Sequence, residues 1–190
     1  MIFYKAWHKQ VNNPYKSHLN STRVILESEN LLLPGLPMTN NDYLRSIRFL
    51  LDVGDAKLVD IIKLSGPTIP LEEIKAYLKN EEDPDYIQCS DEVMAHFLDG
   101  LVYLKRGKDD SRPVVPFEFP ITNNTVLKKL RVAFALKEDD MHDILKNAGF
   151  NVARSELSAL LRKKGHINYR ECGDQLLRNF LKGLTIKERG

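Results

Sequence analysis

The chain has 190 residues, of which 43% are hydrophobic and 28% are charged, with a formal net charge of +2. This balance is typical of a globular protein with one large or two small domains, and it gives no bulk preference for nucleic acid or membranes. Cys89 and Cys172 are far apart and lack CxxC spacing, which argues against a disulfide framework or a cysteine-based zinc site. With no signal peptide or membrane-spanning run in the sequence, we expect a cytoplasmic protein.

Residues 1–37 differ in composition from the rest of the chain. Helix breakers such as Pro14 and Pro34 recur there, and no helical or alternating pattern lasts more than a few residues. We interpret this region as a poorly structured N-terminal extension. The alternative is an arm that docks on the body through aromatic residues such as Tyr4 and Trp7.

The remainder of the chain is a tandem repeat of one sequence unit. The segment from Tyr86 to Gly107 recurs from Tyr169 to Gly190, and the same offset of 83 residues extends back without a gap to the pair formed by Thr39 and Thr122. The period is too long for the common solenoid units. It indicates a duplicated small domain, with units at residues 38–107 and 121–190.

Each unit is predicted to contain four helices, so the fold class is all-α. In the first unit the hydrophobic spacing predicts helices over 41–53, 55–64, 70–79 and from 91 to the end of the unit. Thr39 or Asn40 can cap the first helix, and Ser90 or Asp91 the fourth. Residues 108–120 contain three prolines and are predicted to form an extended linker between two similar four-helix units.

Gly100 and Gly183 occupy the same place inside the fourth helix of each unit. Glycine in a helix interior costs about 1 kcal/mol relative to alanine. Because both copies keep it, we predict a close crossing of two helix backbones at each position.

Three segments resemble the YehS-like family of bacterial proteins: NNTVLKKLRVAFALKEDDM at 123–141, YRECGDQLLRNFLKGL at 169–184 and DGLVYLKRGKDD at 99–110. That family is catalogued as a domain of unknown function present in two copies per chain. The resemblance covers residues 38–190. It implies a small cytosolic bacterial protein and carries no established activity.

The paired cysteines are the first candidate for chemistry. Cys89 and Cys172 each precede a predicted helix N-terminus, where backbone N–H groups could stabilise a thiolate. No histidine recurs in both units to act as a base, and an aspartate follows each cysteine two residues on. We therefore favour a structural, half-buried thiol. Tyr86 and Tyr169 either line a pocket with those aspartates or, as we favour, close a loop onto the core.

Arg48 and Arg131 recur on otherwise apolar helices. They could bind an anion, because guanidinium groups contact carboxylate and phosphate in a bidentate manner. We favour an ion pair with a nearby carboxylate, for which the equally recurrent Asp60 and Asp143 are candidates. The histidines are scattered and no metal, phosphate-loop or hydrolase motif occurs, so we predict no metal and no cofactor.

Charge divides unequally between the units. Residues 38–120 carry 10 Lys and Arg against 16 Asp and Glu, and residues 121–190 carry 14 against 8, so the halves have formal charges of −6 and +6. A predicted helix pair over 138–148 and 154–164 resembles a helix-turn-helix. Its second helix carries the basic residues Arg154, Arg162, Lys163 and Lys164.

These features predict a non-catalytic interaction or regulatory module with a protein partner, rather than an enzyme. The alternative is nucleic-acid binding through the basic second unit. The opposite charges also allow head-to-tail association of copies of the chain. Ordinary drift of solvated surfaces is the competing explanation of the charge difference.

Overall fold

The computed structural model describes residues 37–109, 111, 113 and 115–190, and the predicted N-terminal extension, with its docking alternative, lies outside them apart from Pro37. The described residues form helices and no strands, which confirms the all-α prediction. The helices are α1 Asn40–Leu51, α2 Asp55–Lys63, α3 Leu71–Leu78, α4 Asp91–Arg106, α5 Asn123–Ala133, α6 Glu138–Asn147, α7 Arg154–Leu161 and α8 Asp174–Arg189. None of them is long and apolar enough to cross a bilayer.

The predicted caps are present where the first and fourth helices begin. The Thr39 side chain accepts a hydrogen bond from the Asp42 N–H, and the Asp42 carboxylate accepts one from the Thr39 N–H. Ser90 caps α4 by accepting from the Val93 N–H. These side chains satisfy backbone donors that have no partner within the helix.

Several predicted helix ends differ from the structure by one to three residues; α1, for example, ends at Leu51 and not at residue 53. α3 begins at Leu71 with Pro70 as its N-cap, rather than beginning at Pro70. α7 ends at Leu161 instead of continuing to residue 164, because Arg162 adopts an extended conformation with φ −69° and ψ 159°. The basic run that begins at Arg162 therefore lies in a loop and not on a helix.

The two repeats pack into each other. α4 lies against α2 of its own repeat and against α5 of the other repeat, and α8 lies reciprocally against α6 and α1. Buried side chains of both repeats, including the fully buried Phe97 and Phe180, form a single hydrophobic cluster. The duplicated units therefore share one core, with each last helix covering the first helix of the other repeat.

The predicted backbone crossings at the two helix glycines are confirmed. A Cβ atom added to Gly100 would lie 1.9 Å from the carbonyl oxygen of Ile61 in α2, and one added to Gly183 would lie 2.1 Å from that of Ile144 in α6. Real Cβ atoms do not approach backbone so closely. Only glycine lets the last helix of each repeat pack on the second at this distance.

Arg48 forms the predicted ion pair with a carboxylate, but its partner is Asp55 and not the suggested Asp60. The Arg48 Nε atom lies 2.8 Å from a carboxylate oxygen of Asp55 at the start of α2, because the short α1–α2 turn brings these residues together. Asp60 is exposed and pairs with Lys57 at 3.7 Å. In the second repeat Arg131 donates instead to the backbone carbonyl of Leu136, not to Asp143.

Candidate functional site

A recurrent asparagine anchors the loop before the last helix of each repeat. The Asn41 amide group donates to the carbonyl oxygens of Tyr77 and Ile87 at 2.9 and 2.8 Å, and its oxygen accepts from the Cys89 N–H at 2.9 Å. Asn124 makes the same three bonds with Leu160, Arg170 and Cys172. Both side chains are buried, so each asparagine satisfies backbone groups that water cannot reach.

The preceding asparagines explain the recurrent aspartates. Asn40 donates to the Asp91 carboxylate at 2.8 Å, and Asn123 donates to Asp174 at 2.9 Å. The Tyr43 hydroxyl donates to the Asn123 amide oxygen at 2.7 Å and so joins the two repeats. These residues serve the architecture and do not converge on an open polar cleft.

The paired cysteines are buried thiols. Cys89 and Cys172 are 2% and 5% exposed, and neither forms a disulfide. Burial, together with the negative charge of Asp91 or Asp174, raises the pKa of each thiol to about 12. The helix N-terminus does not offset desolvation here, so the geometry favours the structural interpretation over a reactive thiolate.

The raised thiol pKa predicts a specific loss of stability at high pH. Cysteines in the unfolded chain ionise near pH 9, whereas Cys89 and Cys172 stay protonated until about pH 12. The unfolded state therefore loses protons first, and their contribution to stability, complete below pH 9, decreases by about 1.4 kcal/mol per thiol per pH unit above it. Urea titrations from pH 7 to 11 should show a shallower decrease in the Cys89→Ala, Cys172→Ala double variant. Parallel curves would contradict the assignment.

The two recurrent tyrosines are candidates either for a pocket with the aspartates or, as we favour, for closing a loop onto the core. Tyr86 and Tyr169 are both half-buried, and burial is the main cause of the raised pKa of each phenol. The Lys128 ammonium lies 5.8 Å from the Tyr169 ring centroid. Tyr169 lines a surface groove that does not include Asp174.

Of the four basic candidates, Arg162 lines that groove, which is also lined by the acid Glu156 of α7. The groove has a volume of about 580 Å³, and Ser155, Ser158, Arg162, Ile167 and Arg170 are among its lining residues. Arg162 carries its guanidinium group 3.1 Å from the His166 ring, and its carbonyl oxygen accepts from Lys128 at 2.6 Å.

Residues 162–173, here called the basic loop, form one side of the groove. The loop carries Arg162, Lys163, Lys164 and Arg170 against the single acid Glu171. Lys163 and Lys164 are exposed to solvent, and Ile167 is 93% exposed. Sequence reasoning missed Ile167 and Arg170, although an isoleucine within a run of polar and basic residues is a visible signal.

The equivalent loop of the first repeat, residues 79–90, has the opposite charge. It carries one lysine against Glu81, Glu82, Asp83 and Asp85. Both loops are anchored in the same way by the buried asparagines. One backbone arrangement thus presents an acidic surface in one repeat and a basic surface in the other.

The geometry of α6 and α7 offers little support for a DNA-binding helix-turn-helix. Arg154, at the start of α7, pairs with Asp139 at the surface. α7 has eight residues, and three consecutive acids, Glu138 to Asp140, open α6 beside it. A recognition helix normally offers basic and polar side chains to the major groove, so nucleic-acid binding stays a prediction that depends on the basic loop.

Within the described part of the chain, no group of three or more His, Cys, Asp or Glu residues is arranged to hold a metal ion. A family described as "Protein of unknown function (DUF1456)" matches residues 40–107 and again 123–190, with the same offset of 83 residues. The "Uncharacterized protein YehS" of Escherichia coli (strain K12) is 45% identical over 151 residues, which cover 80% of this chain and 97% of that protein. No solved structure matches significantly. The chain thus belongs to the DUF1456 family and carries two tandem copies of its domain.

Proposed function

We propose that this chain is a non-catalytic binding module of the cytoplasm that engages an acidic, partly apolar segment of a protein partner through the basic loop. The observation that carries the proposal is Ile167, which is 93% exposed among four basic side chains beside a groove of about 580 Å³. An exposed apolar anchor within a charged rim is the arrangement that protein interfaces use.

The chemistry of the loop favours a peptide over a phosphate backbone. Nucleic-acid surfaces combine cations with aromatic rings on which bases stack. Here the aromatic residue of the loop, Tyr169, is half-buried under Lys128, and the exposed anchor is the aliphatic Ile167. An acidic peptide with a leucine or phenylalanine satisfies both the cations and this anchor.

A non-catalytic role agrees with the state of the recurrent polar residues. The asparagines and aspartates bond to backbone and to each other, and the thiols of Cys89 and Cys172 are buried and protonated at neutral pH. Nucleophilic catalysis needs an accessible, activated group with a base in reach. The repeated residues supply scaffold hydrogen bonds instead.

Binding should depend on the charge of the basic loop and on its apolar anchor. We expect a fluorescent peptide of alternating Glu and Leu to bind with an anisotropy change that decreases steeply as salt increases. The triple variant Arg162→Glu, Lys163→Glu, Lys164→Glu should abolish binding. Ile167→Asp should weaken it by about tenfold, since a hot-spot side chain contributes more than 1 kcal/mol.

A matched control changes the charge by the same amount elsewhere. Lys63, Lys75 and Lys146 are exposed and lie outside the loop, so their simultaneous replacement with glutamate should leave most of the affinity intact. Equal loss in both triple variants would show that only the net charge matters. Tighter binding of labelled DNA or RNA than of peptide, unaffected by Ile167→Asp, would instead support the nucleic-acid function.

Association between copies of the chain can be distinguished from peptide binding by sedimentation. The acidic loop of a second copy, residues 79–90, offers the same charge as the peptide. Sedimentation at low and high salt measures this contact directly. Salt-sensitive oligomers that the peptide dissociates would identify another copy of the chain as the partner.

A further inference from the structure

A cleft of about 330 Å³ lies where the two repeats meet, between α4 and α5. Its walls are largely apolar and include Leu98, Val102 and Val132. Residues 115–118 of the linker, here called the strap, complete the lining. The strap is held by Phe117, whose ring makes an edge-to-face contact with His96 at 4.8 Å between centroids. The volume and apolar walls are those of a site for a small organic molecule.

Charged groups stand at the edge of this cleft. Lys128 and Lys129 both line it, together with Glu118 of the strap. Lys129 pairs with Asp99, so its charge is already compensated. Lys128 uses one of its three N–H donors on the Arg162 carbonyl oxygen, at 2.6 Å, which leaves two donors for a bound acceptor.

The Lys128 side chain is also partly buried. Burial lowers its pKa, and the charge of Glu118 opposes that effect only in part. A ligand anion beside Lys128 would restore the stabilisation that water supplies to an exposed lysine. An apolar wall with a partly desolvated cation at its edge is complementary to an amphiphile with an anionic head.

Two of the α4 side chains that line this cleft are not repeated on α8. At the reciprocal junction, between α8 and α1, the residues equivalent to Ala95 and Val102 are Arg178 and Thr185. Both are buried, at 8% and 2% exposure. Larger or polar side chains thus occupy the places where the α4/α5 junction has small apolar ones.

We propose that the α4/α5 cleft binds a small amphiphile that has a hydrocarbon chain and a carboxylate head. The chain lies against Leu98, Val102 and Val132, and the carboxylate accepts hydrogen bonds from Lys128. The cleft shares no lining residue with the groove along α7, although Lys128 also bonds to Arg162 of the basic loop. The proposal does not depend on the function proposed for that loop.

Calorimetric titration of the full chain with decanoate tests the proposal, with decanol as the uncharged match. Decanoate should bind saturably and about tenfold more tightly than decanol, because only its head accepts charge-assisted hydrogen bonds. Val132 is 52% exposed, so Val132→Glu should fold normally while placing a carboxylate at the cleft. We expect it to weaken decanoate binding by at least about tenfold.

Two further variants separate the head from the chain. Lys128→Met should reduce affinity for decanoate to that for decanol and leave decanol binding unchanged. Lys146→Met removes an exposed lysine distant in sequence from the cleft lining and should change neither. Thermal unfolding confirms that each variant is folded. Absence of saturable decanoate binding, equal affinities for the two ligands, or an unaffected Val132→Glu variant would overturn the proposal.

Discussion

Replacing Gly100 or Gly183 with alanine is expected to reduce the free energy of unfolding by about 3 kcal/mol or more, at the upper end of the overpacking range. The added methyl carbon would lie about 2 Å from the Ile61 or Ile144 carbonyl oxygen. That oxygen belongs to a helix backbone, so relief requires the two helices to move apart. The loss exceeds the gain of about 1 kcal/mol that alanine normally brings to a helix interior. Leucine at either position should reduce the free energy of unfolding further.

Urea unfolding monitored by far-UV circular dichroism measures this effect. Gly173 provides the matched control, because no atom lies within 4 Å of the Cβ position there. It stands where the first repeat has the capping residue Ser90, so Gly173→Ser should be neutral or stabilising by a few tenths of a kcal/mol. Midpoints for Gly100→Ala and Gly183→Ala that match the native protein would exclude the close crossing.

Replacing Asn41 or Asn124 with leucine is expected to cost about 3–5 kcal/mol. Each asparagine satisfies two carbonyl oxygens and one N–H group in the core. Leucine has a similar size but no polar atoms, so three buried backbone groups lose their partners, at about 1–3 kcal/mol each before relaxation. The loop that each asparagine anchors should also become mobile.

Denaturant titration gives the cost, and hydrogen exchange gives its location. Backbone N–H groups of Cys89 in Asn41→Leu, and of Cys172 in Asn124→Leu, should lose protection ahead of the rest of the core. Asn147→Leu is the control, because that side chain is exposed at the end of α6. A cost below 1 kcal/mol for both buried positions would mean that water reaches these backbone groups.

Sequence periodicity predicted the repeat, the helical class and the helix glycines. These three predictions were possible because each depends on the local spacing of residues or on a comparison between the two copies of the repeat. Gly100 and Gly183 were informative since a helix retains an unfavourable residue only where something forbids a side chain. The recurrent asparagines carried the same information, but their roles needed the loop carbonyls that they contact.

Features that depend on tertiary contacts were not predictable. α7 ends at Leu161, where Arg162 becomes extended and its carbonyl oxygen accepts a hydrogen bond from Lys128 of α5. Arg48 selects Asp55 over Asp60 because a turn, and not helical spacing, fixes their separation. The cleft between α4 and α5 requires knowledge that the repeats exchange helices, which hydrophobic patterns within one repeat cannot reveal.

The exchange of last helices between the repeats has a consequence for how the two halves can diverge. Two identical copies of one repeat held together by such reciprocal contacts would form an isologous homodimer, in which every surface feature occurs twice. Covalent fusion removes that constraint, since each half then mutates independently while its partner stays in place. Oppositely charged loops in equivalent positions, and side chains that differ between the two junctions, are therefore possible in the tandem chain and impossible in a symmetric dimer of identical repeats.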